Sequence, residues 1–135
     1  MTATIIYKGQ LRCECTHIQS GTVIETDAPT DNKGKGEKFS PTDLVCVALA
    51  TCILTTIDMK AANMGIALSG TTMEVTKHMI SEPMRMIGAI DISLHFPPAL
   101  QLDDKQKTIL KRIGDTCPVS KSLSKDVLVN VVYNW

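Results

Sequence analysis

No excess of charge of either sign marks this sequence: 14 lysines and arginines balance 14 aspartates and glutamates. A neutral chain with no basic stripe has no electrostatic footprint for nucleic acid or for an anionic membrane. The nearest thing to one is a loose group, Lys33, Lys35 and Lys38. Long apolar runs are also missing. The longest weakly polar stretch, Leu44 to Ile57, is broken by threonines and reads as too short to span a bilayer. Met1 to Gln10 shows no charged segment followed by an apolar core and a small-residue cleavage site. A cytoplasmic location is the expectation. Cysteine is present in an odd number, five. In a chain with no export signal, that argues against a disulfide framework and for a reducing compartment.

What is present suits one domain, residues 1–135, long enough to bury a core without staples. Ile5 to Cys15 reads as a strand. Gln19-Ser20-Gly21 reads as a turn, and the alternating, β-branched Thr22 to Thr26 as its partner strand. Pro29, Asn32, Gly34 and Gly36 make Asp27 to Lys38 a loop.

Ser40-Pro41-Thr42-Asp43 is the sharpest local signal. Ser40 suits an N-cap, since its hydroxyl can accept from an orphan backbone N–H. Pro41 suits the first helical position, where no N–H is needed. Asp43 can reach back as the acid of a capping box. The helix should run to Asn63-Met64 and close at Gly65. Leu44, Val45, Ala48, Leu49, Cys52, Thr55, Thr56 and Met59 recur at helical spacing and predict its apolar face.

Ile66 to His78 and Met84 to Phe96 read as strands, the second with Ile90, Ile92, Leu94 and Phe96 on one face. His95 falls on the opposite face, in solvent or at an interface. Asp103 to Asp115 predicts a second helix, Val119 to Leu123 a further short turn, and Val127 to Tyr133 a closing strand. The order β-β-α-β-β-α-β implies an α+β protein.

Two cysteines stand out. Cys52 lies on the predicted apolar face, where a small buried hydrophobe and a reactive thiol are both open readings. Cys117 precedes Pro118 at the start of a helical turn. Unpaired N–H groups there would favour a thiolate, although a small residue at a turn is an equal reading. Cys13 and Cys15 share a strand face and read as ordinary packing. Cys46 is off the Cys52 face and a poor partner for it. No metal-site spacing, Ser-His-Asp order or phosphate loop involves these residues or His17, His78 and His95.

Phe39-Ser40-Pro41-Thr42-Asp43-Leu44 with Ala48-Leu49-Ala50-Thr51-Cys52 closely resembles the first signature of the OsmC/Ohr family. Cys117-Pro118-Val119-Ser120-Lys121-Ser122-Leu123 resembles the second. The resemblance implies an intertwined homodimer with curved antiparallel sheets around two central helices. It implies a thiol peroxidase acting on organic hydroperoxides in oxidative stress defence, with no cofactor and no metal. Cys52 would be the peroxidatic thiol and Cys117 the resolving thiol, with an external thiol or a dihydrolipoyl carrier as reductant. The resemblance also marks a difference. Family peroxidases pair a glutamate just after the motif proline with an arginine from the N-terminal loop. Here Thr42 holds the glutamate position and the acid is Asp43, turned by about 100° on a helix. The 27–38 loop holds no arginine, and Arg12 on its strand offers no evident match. Lys38, Lys35 or Lys33 would substitute as point charges. Two further readings fit the same sequence: a non-catalytic dimer that binds a small apolar ligand, and a thiol enzyme acting on other sulfur electrophiles.

Overall fold

The computed structural model describes residues 1–135. The chain divides into two compact units, Met1–Val45 and Cys46–Trp135.

The first unit is a three-stranded antiparallel sheet of β1 (Ala3–Gly9), β2 (Arg12–His17) and β3 (Val23–Asp27), in that order. The single strand expected over Ile5 to Cys15 is therefore two. The chain turns at Gly9, Gln10 and Leu11, all at positive φ (83°, 51° and 63°). Two of the three are not glycine, so composition alone concealed this tight hairpin. The second hairpin pairs Thr16 with Val23 and, outward from there, Arg12 with Asp27. Ser40, at the end of the following loop, is buried and opens α1 (Pro41–Asn63). The capping box is present as expected. The Asp43 N–H donates to Ser40 Oγ at 3.1 Å, and the Ser40 N–H donates to Asp43 Oδ2 at 2.8 Å.

In the second unit α1 runs on to Asn63, and Gly65 follows at φ 69°, the left-handed residue that ends many helices. The strand expected from Ile66 begins later. Gly70 (φ 90°) sits in a turn closed by the Thr71 N–H and hydroxyl on the Leu68 carbonyl. After the turn come β4 (Thr72–Ile80) and β5 (Met86–His95), then α2 (Asp104–Gly114), α3 (Pro118–Ser122) and β6 (Leu128–Asn134). The sheet order is β4-β5-β6. β4 and β5 pair antiparallel, but β5 and β6 pair parallel, so this sheet is mixed rather than wholly antiparallel. The reason is topological: α2 and α3 form a crossover, and a crossover returns the chain in the direction it left.

The core forms where α1 and α2 meet this sheet. Ile90, Ile92, Leu94 and Phe96 are buried as their alternation predicts, together with Leu110 of α2. His95 lies exposed on the other face, 3.1 Å from Ser93 Oγ. Along α1 the buried residues are Cys46, Leu49, Ala50, Ile53, Ile57 and Ala61. Of the expected apolar face only Leu49 is among them. Met59 is 66% exposed, and Ala48 and Thr55 also face outward. The helix is apolar on nearly every side, so its sequence gives no unique phase. Its 23 residues also make it long and apolar enough to cross a membrane by those criteria alone, unlike the shorter run read from sequence. Here Leu49, Ile53 and Ile57 pack into a protein core. An aromatic ladder closes the unit, with Phe96 stacked on Trp135 (4.1 Å between centroids) and Tyr133 beyond it.

Candidate functional site: a pair of unequal thiols

α1 carries Cys52 at mid-length, partly exposed and packed at the edge of the core cluster. Cys117 arrives from the link between α2 and α3. Its N–H donates to the Gly114 carbonyl at 3.2 Å, extending the end of α2. Its own sulfur is the N-cap of α3, accepting from the Ser120 N–H at 3.5 Å, with Pro118 at the first helical position. Cys117 has no exposed surface.

The two side chains meet, and their surroundings separate them. Burial pushes the Cys52 thiol up. Hydrogen bonds from the Cys117 thiol, the Val119 backbone N–H and the Thr56 hydroxyl together outweigh burial, and the net direction is down. Burial also pushes the Cys117 thiol up, and donating to Cys52 and standing beside its charge push it further, against the Ser120 and Val119 N–H groups. The result is one thiol disposed to ionise beside one that stays protonated. A dithiol of this kind has its nucleophile and its proton in place.

Thr56 and Val119 are donors that the sequence reading did not single out for this role. Thr56 is one helical turn beyond Cys52, so spacing alone could have indicated it. Thr51 and Thr55 differ from it: their hydroxyls turn back to the Val47 and Thr51 carbonyls at 2.8 and 2.9 Å.

The other expected site residues lie in the first unit. Asp43 caps α1, and Thr42 Oγ1 is 3.0 Å from Ser40 Oγ. Lys38 is ion-paired with Glu25 at 3.2 Å. Lys35 is on the exposed part of the loop.

Arg12 is the residue whose importance the sequence concealed. Its guanidinium holds Asp27 through both carboxylate oxygens, Nε to Oδ1 at 2.7 Å and Nη2 to Oδ2 at 2.8 Å, and reaches Glu37 Oε2 at 2.6 Å. The Glu37 N–H adds a bond to Asp27 Oδ2 at 3.1 Å. Asp27 is 1% exposed. The Arg12 hydrogen bonds, against the opposing effect of burial, hold its carboxyl below the usual range, while Asp27 and Glu37 raise the arginine. An arginine–carboxylate pair is thus present, with partners outside the helix motif. The four-residue turn 18–21, closed between His17 and Thr22, sets the register that places Arg12 opposite Asp27.

A mixed α+β fold with a cysteine on one helix in contact with a cysteine at the N-cap of another defines a dithiol protein. The pattern of the OsmC-like protein family matches residues 34–132, and the chain belongs to that family. No curated protein sequence matches it significantly. Solved structures are similar throughout. A protein of Psychrobacter arcticus, described as a candidate osmotic stress induced and detoxification response protein, is 45% identical, with a TM-score of 0.91 over 98% of this chain and 95% of that one. The organic hydroperoxide resistance protein OsmC of Legionella pneumophila is 16% identical, with a TM-score of 0.76 over 100% and 98%. OhrB of Bacillus subtilis, an organic hydroperoxide resistance protein, is 16% identical, with a TM-score of 0.69 over 98% of each chain. The two more distant relatives show the shared fold.

Proposed function

We propose that the protein is a thiol-dependent peroxidase that reduces organic hydroperoxides, with a role in stress defence consistent with its family. The observation that carries this reading is the contact between an ionisation-prone Cys52 and a protonated, buried Cys117. The Cys52 thiolate attacks the terminal peroxide oxygen. The O–O bond breaks, the alcohol leaves with a proton, and Cys52 becomes a sulfenic acid. The Cys117 sulfur then attacks the Cys52 sulfur and forms a disulfide, releasing water. An external thiol or dihydrolipoyl-type reductant restores both thiols. Thr56 and the Val119 N–H keep the sulfur anionic at the start. The names of the Legionella and Bacillus proteins, both organic hydroperoxide resistance proteins, support the choice of substrate class.

The same proposal takes the working form to be a cytoplasmic homodimer. The dimer is supported by apolar surface that this chain leaves open: Ile5 and Tyr7 on β1 in the first unit, and Val47 and Met59 on α1 in the second. Peroxide consumption with a dithiol reductant tests the activity, comparing cumene hydroperoxide with hydrogen peroxide. Faster turnover of the organic peroxide is expected. Unchanged turnover by Cys52→Ser rejects the mechanism.

A further inference from the structure

A disulfide between these cysteines has two sulfurs, and in principle a reductant can attack either. We propose that an incoming thiolate attacks the sulfur of Cys52 and that Cys117 is always the leaving group. This rests on the reading that Cys52 and Cys117 cycle as a dithiol.

The reason is access along a line. Thiol–disulfide exchange needs the nucleophile, the attacked sulfur and the departing sulfur nearly collinear. A nucleophile aimed at Cys117 would have to approach that sulfur from the side away from Cys52. Cys117 has no exposed surface and belongs to the core cluster that includes Leu49, Ile53 and Leu110. Cys52 keeps part of its surface in solvent. Burial makes Cys117 the poorer leaving group of the two, and one contact offsets this. The Ser120 N–H is already directed at Cys117 Sγ from 3.5 Å, in the position to take a developing thiolate.

The step balances. The reductant's thiolate forms a new S–S bond to Cys52, and the Cys52–Cys117 bond breaks. Its electron pair goes to Cys117, which takes up a proton in its buried site. A second thiol then attacks the reductant's own sulfur, leaving as a disulfide with the first and returning Cys52 as the thiolate. The protein gains two electrons, and two reductant thiols lose them.

The test uses the full chain oxidised with diamide, so no peroxide chemistry is involved. The oxidised protein meets a limiting monothiol, is quenched in acid within milliseconds, and is mapped by mass spectrometry. The adduct is expected on Cys52 with Cys117 free. An adduct mainly on Cys117 overturns the proposal. Single-thiol proteins give a second reading. Cys117→Ser carrying thionitrobenzoate on Cys52 should lose it to dithiothreitol at least about tenfold faster than Cys52→Ser carrying it on Cys117, since exchange rates follow access to the attacked sulfur. Equal rates also overturn the proposal. These variants decide the direction of access even if diamide leaves the wild type reduced. Failure here with peroxide turnover intact removes only the direction of attack. Loss of peroxide turnover with this result intact removes only the peroxidase reading.

Discussion

Cys117 donates its proton toward Cys52, and that single contact moves the two thiols in opposite directions. Alkylation should expose the difference. In the native protein at neutral pH, iodoacetamide should modify Cys52 well before Cys117. The Cys52 rate should stay high below the pH at which free cysteine loses reactivity, then fall as pH drops through its lowered pKa. Mass spectrometry over a pH series checks this. Equal labelling of the two residues would count against the assignment of roles.

Thr56→Val removes one donor to the Cys52 sulfur and keeps the side chain's shape. A hydrogen bond to a charged group contributes about 1.5–3 kcal/mol. Discounted for the partial exposure of Cys52, the alkylation rate at neutral pH should fall several-fold, and its pH profile should shift upward. Thr56→Ser should recover most of the rate. A profile that does not move in Thr56→Val removes the hydroxyl from the site.

The Arg12–Asp27 pair makes a prediction about acid. Asp27 has a depressed carboxyl, so its contribution to stability is fully present above the ordinary aspartate range and is lost as pH falls through the lowered value. Asp27→Asn should therefore lower the thermal midpoint at neutral pH, and the difference from wild type should close in strong acid. Arg12→Lys should lower the midpoint as well, because an ammonium cannot reproduce the two-pronged contact. Calorimetry at several pH values checks both. A gap that stays constant with pH would show that the charge of Asp27 is not what matters.

Gly114 is a packing constraint. A Cβ there would lie 2.8 Å from Tyr133 Oη and 3.1 Å from Ile57 Cδ1. Gly114→Ala gains helix propensity but crowds α1 and β6, and overpacking of this kind costs roughly 1–3 kcal/mol. The variant should unfold at lower denaturant with the slope unchanged. The Tyr133 hydroxyl is buried, and its pKa is pushed up to about 12 by burial and by Asp115. Leu49→Ala, which opens a void in the same core, should cost more, about 2–5 kcal/mol.

The contrast between α1 and Arg12 shows what a sequence discloses. The ends of α1 were legible because caps are local: Ser40, Pro41, Asp43 and Gly65 each act within a turn of themselves. The alternation of Ile90, Ile92 and Leu94 was legible because a strand with one buried face has a period of two. The buried side of α1 was not legible, because a helix apolar all round carries no phase and only its packing partners choose one. The Gly9–Leu11 turn was hidden because Gln10 and Leu11 adopt positive φ without being residues that advertise it. The Arg12–Asp27 pair depends on the exact register of β2 against β3, and a turn signal at Gln19-Ser20-Gly21 does not by itself state the length of the connection. At the thiol site, the helix face and the Cys-Pro turn singled out Cys52 and Cys117, and the family resemblance supplied their roles. Their contact, and the donors Thr56 and Val119, needed the folded chain.

The N-cap of α3 is a sulfur, and this ties two things that proteins usually keep apart. Elsewhere a helix begins on an oxygen whose chemistry never changes. Here the first backbone bond of a five-residue helix ends on an atom that electrons can alter. Whatever is done to Cys117 is done also to the start of that helix, so the amide of Ser120 sits where a change in sulfur oxidation state would register first as a change in local order.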